Sequence, residues 1–300
     1  MSILIVLACI AFLVLLITWF KINPFLAFLI ISILAGFLLG IDFYTLTASV
    51  QKGMGDMLGG LVIVIVSGAM LGKLVAESGA AERISSGLMY LFGERYIHWA
   101  LVATGFVIGI PLFYNVGFVL VIPLIFSVAY RYRFPLVFIA TPILAALSVT
   151  HGFLPPHPSP YALVGLFHAE IGKTLLYGII VGIPTVIIAG PVFARTLKGI
   201  NSPVPTTFQP AEIKSGKMPG LANSILSALL PVILIGFTSI VGPYVDDDTF
   251  PGKVILFLSD SVIVLLLSLA VATYTLGLRY GMSMKKIMDI YGETVKDIAM

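Results

Sequence analysis

Apolar residues in this chain come in long, nearly unbroken runs, separated by short charged or proline-rich pieces. Residues 3–20, 24–40, 59–78, 221–242 and 254–278 are the clearest of these runs. Each is close to the roughly 20 residues that an α-helix needs to cross about 30 Å of hydrocarbon. The pattern predicts an all-α polytopic membrane protein. Lys and Arg in the short connections orient the spans, because such loops stay on the cytoplasmic side. Lys21 puts the first turn inside and the N-terminus outside, and residues 41–58, which read as amphipathic and interfacial, then lie outside. The run 59–78 heads inward to a connection holding Glu82, Arg83, Glu94 and Arg95.

Residues 98–133 are long enough for more than one crossing yet end on Arg131 and Arg133, an inside signature. With both ends inside, the segment predicts a re-entrant hairpin whose tip is 109–117. Residues 134–168 are interrupted by "HGFLPPHPSP" at 151–160 and predict a broken helix of two halves. The chain then returns inward to Arg195 and Lys198. After the polar, proline-rich stretch 201–220, two runs and an amphipathic end repeat the order of residues 1–58 in the opposite sense. That is the form of an inverted-topology repeat. The expected organisation is scaffold helices over 1–58, a transport-type region over 59–200, a cytoplasmic linker at 201–220 and the opening of a second, incomplete repeat at 221–300.

Composition narrows the class. The chain is 59% hydrophobic and 10% charged, against about 25% charged in soluble domains. The net charge of +3 says nothing about nucleic acid, since the basic residues sit in short loops between spans, and no nucleic-acid partner is expected. A lone Cys9 within the first run allows no disulfide framework. That run lacks a basic n-region and a small-residue cleavage site, so it predicts a retained helix and not a signal peptide.

Chemistry concentrates at the two breaks. Irregular backbone at membrane depth survives only where it is buried in protein or lines a wet cavity. Pro155, Pro156, Pro158 and Pro160 remove four donors and disfavour helix ahead of them; Pro111 acts likewise between Gly109 and Gly117. Tyr114 and Asn115 at the tip, and Ser148, Thr150, His151, Gly152, His157 and Ser159 at the second break, supply polar groups. Half-helix ends offer free N–H groups to an anion, so these positions predict a site for a small carboxylate solute. Pro184, Pro191 and Pro231 read as kinks. The six-residue spacing of His151 and His157 fits no zinc pattern, and Ser159 with His157 forms no recognisable nucleophile motif. Neither metal, cofactor nor enzymatic activity is expected.

The segments "GIPLFYNVGFVLVIPLIFSVA", "LSVTHGFLPPHPSP", "LLYGIIVGIPTVIIAGP" and "GAMLGKLVAESGAAERI" resemble the gluconate permease family of bacterial proton-coupled symporters, within the ion transporter superfamily. The resemblance runs from about residue 20 to the end. It implies uptake of gluconate or a related sugar acid with protons across the bacterial inner membrane, and an elevator-like fold with paired hairpins and broken helices. It is compatible with a homodimer formed through the outer helices. It places the solute contacts at 109–117 and 148–159. The family pattern has an acidic residue in the tip where this chain has Asn115, which leaves His151 or His157 as the proton-coupling candidates. Family members also continue beyond the point where this sequence stops. The alternative expectation is therefore a truncated or partner-dependent membrane protein without transport of its own.

Overall fold

The computed structural model describes residues 2–202 and 218–299. The predicted linker lies outside the described residues apart from 201–202 and 218–220. Every regular element among the described residues is helical. Five stretches are long and apolar enough to cross a membrane: Phe43–Glu77, Leu136–Leu166, Ile171–Thr196, Leu221–Tyr244 and Ser261–Tyr280. The chain separates into two compact units, Met1–Gly60 and Leu61–Met300.

In the first unit, α1 (Ser2–Thr18) and α2 (Pro24–Leu38) bury Cys9, Leu16, Ala27 and Ile31 together. Asn23 starts α2 by accepting a hydrogen bond from Phe25 N at 2.9 Å, with Pro24 at the first helical position, where its missing N–H costs nothing. Helix α3 (Phe43–Glu77) begins in this unit and ends in the second. It joins the stretch read as interfacial to the run from residue 59 without a break.

The second unit is built around α7 (Leu136–Phe153). Its first amides are satisfied by a distant residue: Leu136 N donates to Ser202 O at 2.8 Å and Val137 N to Ser202 Oγ at 3.2 Å. Helices α5 (Ile97–Gly109) and α6 (Tyr114–Tyr132) pack on it. Ile97 and Leu101 from the start of α5 share a core cluster with Val128 and Ala129 from the end of α6. Ile108, at the other end of α5, clusters with Val116 and Leu120 from the start of α6. The two helices therefore fold back on each other as a hairpin.

Gly105 and Gly109 lie four apart on the face of α5 turned to α7, the spacing that lets helix backbones approach closely. A Cβ at Gly105 would stand 2.6 Å from Ile143 O, a backbone atom that cannot swing aside. Gly105→Ala should cost about 1–3 kcal/mol by overpacking, read as a lower unfolding midpoint of the purified protein in detergent. A midpoint equal to wild type would show that α5 and α7 are not held this tightly.

Helix α4 (Ala80–Phe92) buries Ala80, Ala81, Ile84 and Ser85 and turns Glu82 and Arg83 outward. After α8 (Pro158–Leu166) and α9 (Ile171–Ile187), a π-turn at Ile188–Val192 accommodates Pro191 before the short α10 (Phe193–Thr196). Helix α11 (Leu221–Val241) runs against α12 (Phe250–Ser259) and α13 (Ser261–Ala272). The run 254–278 is thus not one helix. Asp260 interrupts it and caps α13, accepting from Val262 N at 2.9 Å and Ile263 N at 3.2 Å. A second π-turn, Thr273–Gly277, follows; Asn223 Nδ2 donates to Thr275 O there at 2.8 Å. The amphipathic α14 (Met284–Ala299) buries Ile287, Ile290, Tyr291 and Thr294, and Tyr291 and Thr273 share a hydroxyl–hydroxyl hydrogen bond of 2.7 Å.

Candidate functional site

Both predicted breaks are present, and each is shorter than its sequence signature. The first is confined to residues 110–113, with α5 ending at Gly109 and α6 starting at Tyr114. The second covers residues 154–157, between α7 and α8. Pro155 and Pro156 lie within it, joined by a cis peptide bond, whereas Pro158 and Pro160 fall in the first turn of α8. A helix's first turn tolerates proline because its amides have no intrahelical partner.

The breaks meet. His157, 5% exposed, stands with Nε2 2.9 Å from Gly109 O, the carbonyl that ends α5. A carbonyl only accepts, so the ring nitrogen donates. Beside this bond α5 and α7 pack tightly, for a Cβ at Gly109 would clash with Thr150 Oγ1. Thr150 is fully buried, and its hydroxyl donates to Ala146 O and Leu147 O, each at 3.0 Å. The His151 ring lies 4.7 Å from the His157 ring, centroid to centroid, and 6.0 Å from that of Phe113. His151 Nδ1 is buried and has no hydrogen-bond partner among the described residues.

A cavity of about 20 Å³ lies where the breaks face other helices, lined by Pro111, Phe113 and His157 with Gly68 of α3, Pro231 of α11 and Leu265 of α13. It has room for about one water, far below the roughly 300 Å³ at which small-molecule pockets begin. Gly68 and Leu265 carry no signal in the sequence that would place them here. Pro231 read only as a kink.

The predicted site residues divide into two groups. Gly109, Pro111, Gly117, Thr150 and His157 are buried in the packing of the breaks. Gly117 belongs to the first turn of α6, and a Cβ there would sit 3.0 Å from Leu147 Cδ2. Ser148, Gly152 and Ser159 are exposed, and His151 and Tyr114 are half-buried, the latter stacked on Phe118 at 6.2 Å. The Asn115 side chain lies outside the described residues. Helix α7 turns Ile139, Ile143 and Thr150 toward α5, while Val149 clusters with Val186 of α9. Ser148 and Gly152, four residues apart, occupy the face left open. Neither α6 nor α8 has a side-chain cap at its start, so the first-turn amides of α6 remain at the breaks as donors, whereas Pro158 and Pro160 leave only Ser159 N–H at the start of α8. Among the described residues no three His, Cys, Asp or Glu side chains gather as a metal site would need.

Five stretches long and apolar enough to cross a membrane, with a helical hairpin and a broken helix joined at their interruptions, fit a multi-pass membrane protein. The model of the GntP family permeases matches residues 1–300. The Gnt-II system L-idonate transporter of Escherichia coli (strain K12) is 40% identical over 301 residues, covering 100% of this chain and 69% of that protein. A high-affinity gluconate transporter of the same organism is 42% identical over 289 residues, 96% of this chain and 66% of its own length. The gluconate permease of Bacillus subtilis (strain 168) is 38% identical over 294 residues, 93% and 65% respectively. The chain belongs to the GntP permease family, a family of transporters and not of enzymes, and spans about two thirds of the length of these relatives.

Proposed function

We propose that the protein imports gluconate or a closely related sugar acid across the bacterial inner membrane, driven by protons. The observation that carries this reading is the meeting of two helix interruptions beside a polar, open face of α7, in a chain whose relatives are named as gluconate and idonate transporters. The solute carboxylate is received by the first-turn amides of α6 and by Ser159 N–H, the one amide that the prolines leave in the first turn of α8, where the helix dipole favours negative charge. Ser148, Ser159 and the Gly152 backbone line the face along which its hydroxyls pass; the residue type of Asn115 suits the same role. The hairpin and broken helix move together as the transport body of an elevator, with residues 1–58 as scaffold and 221–300 as the start of an inverted second repeat.

Labelled gluconate uptake by cells lacking their own carriers tests the reading. Expression should give saturable uptake that collapses when a protonophore removes the gradient. Uptake insensitive to the protonophore would remove proton coupling, and no uptake of any sugar acid would remove the transport assignment. Ser148→Leu places a bulky apolar group on the open face, away from α5. It should raise the apparent KM about tenfold or more while leaving unfolding unchanged, because a solute hydroxyl loses its partner. An unchanged KM would take the solute path off this face.

A further inference from the structure

His157 stands apart from the other polar residues of the breaks because its proton has an assigned place. Gly109 O is one of the carbonyls that a helix end leaves without an intrahelical partner, and the chain turns away at residues 110–113. The bond from His157 Nε2 reaches it across 48 residues of sequence. Nε2 carries hydrogen in this arrangement; without it, a nitrogen lone pair and a carbonyl oxygen would oppose each other at 2.9 Å. His157 is itself the residue before α8, so its backbone is fixed: His157 N donates to Leu154 O at 3.1 Å, and Tyr161 N donates to His157 O at 3.0 Å. On the other side Phe113 lies with its ring centroid 6.2 Å away. These contacts hold one break against the other, and its Nε2 proton is committed to a backbone acceptor.

We propose that His157 is a positioning residue, a fixed Nε2–H donor that ties the break after α7 to the break after α5 so that both move as one body, and that it is not the carrier of the coupled proton. The assignment rests on the transport reading above. It reassigns His157 from the solute-facing and proton-handling groups to the frame that holds them, and it leaves His151 as the histidine with an unengaged buried nitrogen beside the breaks.

Three substitutions in the full chain separate the roles. The amide nitrogen of glutamine reaches about as far as Nε2, that of asparagine falls short, and leucine offers no donor. His157→Gln should keep the apparent KM for gluconate within about threefold of wild type, and should keep gradient-driven accumulation and the unfolding midpoint. His157→Asn and His157→Leu should raise the KM by about 5- to 100-fold, the range expected when a buried carbonyl loses its donor, and should lower the midpoint. Loss of accumulation in the glutamine variant with gluconate exchange preserved would make His157 a proton carrier and overturn the proposal. Wild-type behaviour of the leucine variant would overturn it as well. If the wild-type chain carried no gluconate, the transport reading would fail separately, and two readouts would still decide His157. The 15N spectrum of histidine-labelled protein should show a protonated Nε2 whose signal disappears in His157→Gln, and the midpoint should stay at the wild-type value in His157→Gln and fall in His157→Leu. A bare Nε2, or a wild-type midpoint in the leucine variant, would overturn it.

Discussion

Gly109→Val should abolish uptake, with a loss of more than about a hundredfold. The new Cβ would clash with Thr150 Oγ1 and lie 3.2 Å from Leu147 Cδ2. Thr150 cannot rotate away at little cost, because it is fully buried and its hydroxyl is bound to Ala146 O and Leu147 O. Helix α5 would have to withdraw from α7, and Gly109 O would withdraw with it from His157. Overpacking of this kind costs about 1–3 kcal/mol. Leaving the carbonyl without its donor adds about 1–3 kcal/mol. Together these come to about 2–6 kcal/mol, a range most of which lies above the roughly 2.8 kcal/mol that corresponds to a hundredfold change. A double-mutant cycle checks the cause. Since Thr150 Oγ1 is the nearest atom, Thr150→Ala should restore part of the uptake lost in Gly109→Ala, a coupling that independent sites do not show. Wild-type uptake by Gly109→Val would mean that the breaks need not touch for transport.

The breaks were legible in the sequence because proline acts locally and is clustered at the second and set between Gly109 and Gly117 at the first; the isolated Pro142, Pro184 and Pro231 stay inside α7, α9 and α11. The extents of the breaks were less legible. Gly117 looked like part of the tip, yet it lies inside α6, where its missing side chain makes room for Leu147. That role depends on a neighbour 30 residues away in sequence. The interruption at Asp260 did have a local signal. An Asp ahead of an apolar run is a helix start, but the hydropathy of residues 254–278 masked it. Contacts that assemble the site were not legible at all. The Gly109–His157 bond, the Ser202 cap on α7 and the approach of Gly68, Pro231 and Leu265 to the cavity join residues far apart in the chain. Hydrophobic runs specify helices, but which helix faces which is settled by side-chain fit. The division of the predicted site residues into a buried frame and an open face follows from that packing, since both groups have the same polar, small-residue character.

His151→Phe should abolish accumulation of gluconate against its gradient while sparing exchange of internal for external gluconate. Phenylalanine preserves the ring that packs beside Phe113 and His157 and removes only the nitrogens. One of those, Nδ1, is buried and has no hydrogen-bond partner among the described residues. Such an atom is costly to retain for packing alone, whereas a residue that takes up and releases a proton needs an unengaged nitrogen in one of its states. Its neighbour His157 cannot substitute while its own proton is held by Gly109 O. For one proton per solute, a gradient of one pH unit supplies about 1.4 kcal/mol and supports about tenfold accumulation. Wild-type cells should therefore concentrate gluconate by about that factor, and His151→Phe cells should stop at equal concentrations inside and out. Exchange needs only the loaded carrier to cross in both directions, so its rate should fall by less than about threefold if folding and solute contacts survive. Loss of both activities would place His151 among the solute contacts. Retention of tenfold accumulation would show that the proton travels elsewhere.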